Sequence, residues 1–269
     1  MPQEIEVSGL FIYPVKSFTG ISLESSGLDS MGMKYDRRWM VVTPEGNFLT
    51  QRTLPQMALI KTSINDGVLT LSKDGLGKHC VPQVDVTASS MEVTIWNDTV
   101  TASRIGERTD AWLTEAIGVD SRLVYIPDDC LRQCDLEYSN VGERTGFADG
   151  FPMLIISEAS LEDLNQRLEH AVDMRRFRPN IVIKGCDAFA EDKLESFIIA
   201  EILMRGVKLC SRCPMPTVDP DKGERAGQEP IATLMKYRKW DNKVFFGMNV
   251  IHQQQGTIKV GDMLKLRPN

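Results

Sequence analysis

The sequence predicts an α+β fold that is rich in β-strand. The first hundred residues consist mainly of short apolar segments separated by turn sequences, a spacing typical of a small antiparallel barrel or sandwich. Segments with helical spacing are few and come later in the chain. With 269 residues, 42% hydrophobic and 25% charged, the chain has the composition of a soluble globular protein with one large or two medium domains. We expect a β-rich N-terminal part and a mixed C-terminal part, divided somewhere in 100–150.

The N-terminal strands are predicted largely as hairpins. Thr43-Pro44-Glu45-Gly46 and Asn65-Asp66-Gly67 have the composition of tight turns, and Asn97-Asp98 separates two further β-branched segments. The predicted strands of this part are 10–13, 38–42, 47–50, 60–64, 68–71, 93–96 and 99–102.

Three helices are predicted. One covers 109–117 and stops at Gly118, one covers 157–168 with apolar residues at i, i+3 and i+7, and a short one covers 231–237. Further strands are predicted at 153–156, 180–183, 197–204, 245–246 and 258–266. The segment 128–150 has little periodicity and is predicted to be a long loop, an element that often carries function.

Charge and cysteine content restrict the class of protein. A net charge of -6 argues against general nucleic-acid binding. The acidic start lacks the features of a signal peptide, and no apolar stretch approaches the roughly 18 residues that span a membrane. Six cysteines in 269 residues are typical of reduced thiols. We therefore expect a cytoplasmic protein.

The most reactive segment is Cys210-Ser211-Arg212-Cys213-Pro214. Neighbouring cations favour the thiolate, which is the nucleophilic and metal-binding form of cysteine. The two thiols could be ordinary buried cysteines, a zinc site with Cys130 and Cys134, or a redox pair. Prolines directly after the second thiol disfavour the helix start that a thioredoxin-like pair requires. Spacing alone does not decide among these alternatives.

Basic residues cluster near predicted strand ends. Such residues could bind a phosphate or another oxyanion, although solvated charges and surface ion pairs are the usual alternative. In an acidic chain, a local excess of arginine makes an anionic ligand more plausible. The relevant residues are Lys16, Ser17, Arg37, Arg38, Arg52, Arg175, Arg176 and Arg178.

Several other chemistries lack their signatures. There is no G-x-S-x-G, no P-loop and no G-x-G-x-x-G, so a serine hydrolase and the common nucleotide folds have no support. Ser157 and Ser160 are predicted to cap a helix. Asp219 and Asp221, beside the cysteines, are predicted to form a turn.

These motifs, in this order and over nearly the whole chain, resemble the MOSC-domain family with its preceding N-terminal MOSC β-barrel domain. The resemblance implies an N-terminal MOSC β-barrel domain at 1–120 and a MOSC domain, a β-barrel with peripheral helices, at 121–269. The matching segments are Tyr13-Pro14-Val15-Lys16-Ser17, Asp36-Arg37-Arg38-Trp39, Ser157-Glu158-Ala159-Ser160, Arg178-Pro179-Asn180-Ile181-Val182, Cys210-Ser211-Arg212-Cys213, Thr217-Val218-Asp219-Pro220 and Gly256-Thr257-Ile258-Lys259-Val260-Gly261-Asp262.

Within that family the chain is similar to bacterial relatives of the mitochondrial amidoxime-reducing component. This implies a molybdenum cofactor of the molybdopterin type, whose metal is bound by a pyranopterin dithiolene and by Cys213, while Cys210 is dispensable. Soft thiolate ligation suits a transition metal. The resemblance places Asp149 near the metal, so that Cys213 and Asp149 are the expected catalytic residues. The residues expected to bind the cofactor are Lys16, Ser17, Arg37, Arg178, Asn180, Ser211, Arg212 and Cys213.

The implied reaction is two-electron reduction of a small N-hydroxylated substrate, as in detoxification of N-hydroxylated bases, with the cofactor doing the difficult chemistry. The sequence ends at Asn269, before any iron–sulfur domain of the kind some relatives carry, so we expect a separate flavoprotein or ferredoxin-type electron donor. The protein is expected to be monomeric, without nucleic-acid or membrane partners. Pro214-Met215-Pro216 departs from the usual family sequence, which leaves the substrate range open. The alternatives are a persulfide carrier that uses Cys213 and an anion-binding module.

Overall fold

The computed structural model describes residues 4–83, 89–225 and 227–267. Within them the α-helices are α1 (Glu107–Ile117), α2 (Glu158–Asn165) and α3 (Ile231–Tyr237), and the 3₁₀ helices are Pro55–Leu59, Met174–Arg176, Ala190–Lys193 and Met215–Thr217. The strands are β1 (Ile5–Ile12), β2 (Ile21–Leu23), β3 (Ser25–Asp29), β4 (Gly32–Met33), β5 (Trp39–Val42), β6 (Lys61–Asn65), β7 (Val68–Lys73), β8 (Gly77–Cys80), β9 (Ser90–Ile95), β10 (Asp98–Arg104), β11 (Arg122–Tyr125), β12 (Met153–Ser157), β13 (Ile181–Lys184), β14 (Ser196–Ile199), β15 (Ile202–Ser211), β16 (Val218–Asp219), β17 (Glu224–Arg225), β18 (Lys239–Trp240), β19 (Lys243–His252), β20 (Gly256–Lys259) and β21 (Met263–Leu266).

A closed seven-stranded barrel dominates the fold. Its strands pair in the order β12, β13, β1, β21, β14, β15, β19 and back to β12. The β12–β13 pair is parallel and the other neighbours are antiparallel. Closure leaves the barrel without a free sheet edge. The expected β-rich fold is therefore confirmed.

The barrel interior is filled by apolar side chains that alternate along the strands. Leu10 of β1, Ile155 of β12 and Ile183 of β13 are fully buried there, together with Phe197 of β14 and Val250 of β19. Burial of apolar area at about 25 cal/mol per Å² is the main stabilising contribution of such a core. Because β1 lies between β13 and β21, the first strand of the chain brings the segment that follows it, including Lys16, to the rim of the barrel.

A second group of strands follows β1 in sequence. The order β5, β11, β10, β9 forms a four-stranded sheet, and β6, β7, β8 form a three-stranded sheet. Helix α1 covers one of the two apolar clusters of this region through Leu113, Ala116 and Ile117. None of the described helices is long and apolar enough to cross a membrane.

Most predicted elements are present, but several boundaries were wrong. The segment predicted as a strand at 47–50 forms isolated bridges only. The segment 197–204 is a hairpin, β14–β15, because Ala200 and Glu201 adopt φ of 47° and 69°, which side-chain pattern does not reveal. Likewise, 258–266 is two strands, β20 and β21. The turn between β9 and β10 lies at Trp96-Asn97 rather than at Asn97-Asp98, since Ile95 pairs with Asp98.

The helix predicted at 157–168 ends at Asn165. The amide of Asn165 bonds the backbone of Val172 at both its nitrogen (2.8 Å) and its oxygen (3.1 Å), and these bonds replace the next helical turn. At the other end the prediction is confirmed, since Ser157 caps α2 by accepting from the backbone nitrogen of Ser160 at 3.1 Å. No helix or strand lies between Tyr125 and Met153, as predicted for the long loop.

Candidate active site

Lys16 lies in the turn after β1 and is buried. Its backbone nitrogen bonds the carbonyl of Trp39, which ties this turn to β5. The ammonium donates to the carbonyl of Phe147 at 2.9 Å and to Asp149 Oδ1 at 2.5 Å. Burial lowers the pKa of Lys16 to about 8, although the charge of Asp149 opposes that shift. At neutral pH the site therefore holds a buried ammonium whose proton is held less tightly than usual.

Asp149 comes from the long loop and forms part of the site's mouth. Its side chain is 59% exposed, and Oδ1 accepts from Lys16 and from Trp96 Nε1, the latter at 3.2 Å. Desolvation acts to raise the pKa of this carboxyl, but the Lys16 ammonium outweighs it and holds the pKa below its usual range. Asp149 is therefore an ionised hydrogen-bond acceptor at neutral pH.

Two arginines flank the ring of Tyr13. The guanidinium carbons of Arg37 and Arg178 lie 4.4 and 4.1 Å from the ring centroid. Arg37 also donates to the buried Asp36 at 2.7 Å and to Asn180 Oδ1 at 3.0 Å. These contacts fix the planes of two cations next to each other, an arrangement suited to a multiply charged anion.

The cysteine loop begins where β15 ends. Arg212 bonds β19 through its backbone nitrogen and the carbonyl of Val244 at 2.7 Å. Its guanidinium donates to the carbonyl of Phe177 at 2.9 Å and contacts Cys210 Sγ at 3.2 Å. Cys213 follows as a partly buried free thiol. The arginine between the two thiols is thus held by Cys210, which leaves Cys213 as the thiol without an arginine contact of this kind in the described structure.

These separate segments line one cavity of about 110 Å³. The apolar part of its wall includes Phe151, Met153 and Phe177. All nine residues that the sequence predicted for the site lie on it, namely Lys16, Ser17, Arg37, Asp149, Arg178, Asn180, Ser211, Arg212 and Cys213.

The cavity wall contains unsatisfied polar atoms. Among the described residues, Ser17 Oγ, Arg178 Nη2 and Arg212 Nε are buried and have no hydrogen-bond partner within the protein. Buried donors are rarely left without a partner, so a ligand rich in acceptor oxygens would satisfy them. Ser17, Arg37 and Arg178 also adopt left-handed backbone conformations, with φ of 69°, 46° and 57°. Such strain concentrates at ligand-binding sites.

Other basic residues named by the sequence lie elsewhere. Arg38 bonds Asp128, Tyr125 and the carbonyl of Ile126. Arg175 and Arg176 pair with Asp221 and Asp219. Of the three arginines at 175, 176 and 178, only Arg178 therefore lines the cavity described above. The turn predicted at these aspartates is confirmed, because Asp219 Oδ1 accepts from the backbone nitrogens of Asp221 and Lys222.

A zinc site has no support in the described ranges, where no group of three or more histidine, cysteine, aspartate or glutamate side chains could hold a metal. Cys134 instead packs in a small core with Phe151 and Ile251. Burial raises the pKa of its thiol to about 12, which keeps it protonated.

Sequence reasoning missed the residues that position the site. Tyr13 was predicted as the end of a strand and as the first residue of the Tyr13-Pro14-Val15-Lys16-Ser17 segment, but no role in the site was assigned to it. Trp96 was assigned to a strand end, and its bond to Asp149 depends on a turn position that the pattern placed one residue late. A local pattern carries no signal for such long-range contacts.

Comparison with known proteins decides the family. The model of the MOSC N-terminal beta barrel domain matches residues 4–120, and that of the MOSC domain matches residues 142–265. Mitochondrial amidoxime-reducing component 1 of Homo sapiens is 35% identical over 277 residues, which cover 97% of this chain and 82% of the human protein. The chain belongs to the MOSC-domain family. The resemblance drawn from the ordered motifs is thereby confirmed.

Two further relatives of this MOSC-domain protein match over more than nine-tenths of its chain. Mitochondrial amidoxime reducing component 2 of Bos taurus is 32% identical over 273 residues, covering 95% of this chain and 81% of the bovine protein. The molybdenum cofactor sulfurase of Oryza sativa subsp. japonica is 31% identical over 265 residues, covering 91% of this chain but 32% of that longer protein.

Proposed function

We propose that this protein binds a molybdopterin-type molybdenum cofactor, with Cys213 as the protein ligand of the metal, and reduces small N-hydroxylated compounds. The observation that carries the proposal is the single cavity in which a free thiol, a buried lysine and three arginines meet. The names of the relatives, amidoxime-reducing component and molybdenum cofactor sulfurase, support the same chemistry.

The donor set of the cavity fits this cofactor. Arg37, Arg178 and Ser17 would bind the phosphate and pterin, because they offer fixed guanidinium planes and a hydroxyl that lacks a partner within the protein. Asn180 would orient Arg37, and Ser211 and Arg212 would contribute from the cysteine loop. A thiolate at Cys213 is a suitable ligand for a soft transition metal.

Reduction of an amidoxime consumes two electrons and two protons, breaks the N–O bond, and releases an amidine and water. The cofactor, when bound, supplies the redox chemistry. Asp149, ionised at the mouth, accepts a hydrogen bond from the substrate's N–H or O–H group and so orients it. Lys16 holds Asp149 in place. We further propose a separate flavoprotein or ferredoxin-type protein as the electron donor, and a monomeric enzyme.

Metal content tests the proposal. Protein would be purified from a host that makes the cofactor, and molybdenum would be measured by mass spectrometry for wild type, Cys213→Ser and Cys210→Ser. We expect near-stoichiometric molybdenum in wild type and Cys210→Ser, a loss in Cys213→Ser, and benzamidoxime reduction that follows the metal. Molybdenum content and benzamidoxime reduction that are both equal in the two variants contradict the assignment of Cys213.

A persulfide carrier is the second candidate, since both free thiols line the same cavity. Labile sulfur on Cys213 in protein without molybdenum, detected as a mass increase that a reductant removes, would favour it. Protein that binds an anionic ligand but carries neither molybdenum nor labile sulfur would instead favour the anion-binding module.

A further inference from the structure

A second cavity, of about 490 Å³, opens onto the same centre. It shares Asp149, Ser211, Arg212 and Cys213 with the first cavity. Its outer wall includes Trp96 and two lysines, Lys239 and Lys243. A small molecule that approaches Cys213 through this cavity therefore passes an aromatic ring and two ammonium groups.

Trp96 is held rigidly with part of its ring in solvent. It lies in the turn between β9 and β10 with φ of 56°, a conformation that is strained for a bulky side chain. Its indole nitrogen donates to Asp149 at 3.2 Å, and the Arg52 guanidinium lies 4.0 Å from its ring centroid. The residue remains 40% exposed. Arg52 covers one face of the indole and the Phe48 ring lies tilted against it at 5.2 Å between centroids, so the solvent-exposed part of the ring is what is available to pack against a flat substrate ring.

The lysines come from the β18–β19 hairpin. Lys239 pairs with Val244 across it, and Lys243 pairs with Trp240. Both lysines are exposed, and neither forms an ion pair within the described residues. Asp241, in the turn between them, does not line the cavity.

The cavity is positively charged although the chain carries a net charge of -6. Asp149 is the acidic residue among the described residues that line it, and its carboxylate already accepts from Lys16 and Trp96. Among the described residues that line the cavity, no other carboxylate opposes the charges of Lys239 and Lys243. A cleft that is lined by charges of one sign concentrates ligands of the opposite sign. The cavity would therefore attract an anion.

Resting on the function proposed above, we propose that the preferred substrates are N-hydroxylated compounds that combine a flat ring with an anionic group, such as a carboxylate or phosphate. Lys239 and Lys243 bind the anionic group, and Trp96 stacks on the ring. These three residues are thus specificity determinants of the reaction rather than parts of the cofactor site.

Internal competition tests this. Benzamidoxime and 4-carboxybenzamidoxime would be mixed with molybdenum-loaded enzyme and one chemical reductant, dithionite-reduced methyl viologen, and the ratio of the two amidine products measured. Because both substrates share one enzyme and one electron supply, the product ratio reports only their relative kcat/KM. We expect wild type to favour the carboxylate by about 3- to 10-fold, with a decrease at high salt.

The double variant Lys239→Gln/Lys243→Gln should bring the product ratio to about one. The control Lys265→Gln changes an exposed lysine that lines neither cavity, and it should leave the ratio unchanged. Trp96→Leu should reduce turnover of benzamidoxime more than that of acetamidoxime in the same format. An absence of charge preference in wild type, or a preference that survives the double variant, overturns the proposal. The proposal is also overturned if the double variant loses rate equally for both substrates, and only when an acidic protein donor replaces methyl viologen. That result would assign the two lysines to docking of the donor.

Failure of the proposed function can be distinguished from failure of the anion site. If loaded enzyme reduces neither amidoxime, calorimetric titration with 4-carboxybenzamidoxime decides the binding question. Binding that is weakened several-fold in the double variant but not in Lys265→Gln supports the anion site with a different reaction. Absence of that difference overturns the anion site as well.

Discussion

The Lys16–Asp149 pair offers a sharp test of how the site is built. Replacement of Lys16 by methionine removes the buried ammonium and keeps an apolar chain of similar length. The side chain of Lys16 is 7% exposed, so the charge is held in an environment that disfavours it. We therefore expect the cofactor-free Lys16→Met protein to be at least as stable as wild type near neutral pH, although its function is lost.

The magnitude follows from the pKa. Burial lowers the pKa of Lys16 from 10.5 to about 8, which corresponds to about 3 kcal/mol that folding must supply to keep the group charged. Loss of the hydrogen bond to the carbonyl of Phe147 costs about 1–3 kcal/mol. The variant should thus gain between about 0 and 2 kcal/mol of unfolding free energy near neutral pH.

The sign of the pH dependence is fixed. The folded pKa is depressed, so between about pH 8 and pH 10.5 the unfolded chain binds more protons than the folded one, and stability rises with pH. From about pH 7.5 to about pH 9.5, wild type should gain about 2 kcal/mol relative to Lys16→Met.

Urea unfolding of both proteins at these two pH values measures that difference. The control Lys265→Met changes an exposed lysine and should keep a constant offset from wild type. A Lys16→Met protein that is destabilised by more than about 3 kcal/mol near neutral pH, as for a net-favourable buried ion pair, would refute the reasoning. So would an offset that does not change with pH.

Three further outcomes are expected. Activity of loaded enzyme should fall at alkaline pH, at or above the pKa of about 8 that Lys16 has without the anionic cofactor, because neutral Lys16 no longer pairs with Asp149. In Lys16→Arg the fall should move to higher pH in a pH–rate profile. Burial raises the pKa of the fully buried Glu191 carboxyl, so Glu191→Gln should raise the free energy of unfolding by about 1 kcal/mol. In thermal unfolding the gain should be larger at pH 8 than at pH 5, because the carboxyl ionises more readily in the unfolded chain. A larger gain at pH 5 contradicts this. Gly206→Ala, whose Cβ would collide with the carbonyl of Leu194, should cost more than about 3 kcal/mol. Gly27→Ala, whose Cβ would lie at an ordinary contact distance of 3.9 Å from the carbonyl oxygen of Gly256, serves as its control.

Local sequence patterns predicted the elements better than their connections. The hairpin of β6 and β7 was found because Asp66-Gly67 is a turn sequence that tolerates left-handed φ. The hairpin at Ala200-Glu201 was missed because neither residue type signals such a turn. That β1 pairs with β13 and β21 has no local signal at all, since it depends on closure of the barrel. The division at residues 120 and 121 remains a prediction.

The site was predicted from ordered motifs rather than from spacing. Spacing left Cys210 and Cys213 equivalent, and the family resemblance alone assigned the metal to Cys213, since the arginine contact in the structure is made to Cys210. Tyr13 and Trp96 could not be assigned because their roles depend on contacts between segments far apart in sequence. Sequence alone likewise did not separate a charge with a distant partner, such as Arg175 with Asp221, from a lysine such as Lys239, which forms no ion pair within the described residues.

The central claim is that Cys213 binds the metal. X-ray absorption at the molybdenum edge measures this most directly, through the number of sulfur ligands in protein loaded in a cofactor-producing host. We predict one sulfur ligand fewer in Cys213→Ser, or complete loss of molybdenum, and an unchanged shell in Cys210→Ser. An unchanged sulfur shell and full molybdenum content in Cys213→Ser would contradict the account.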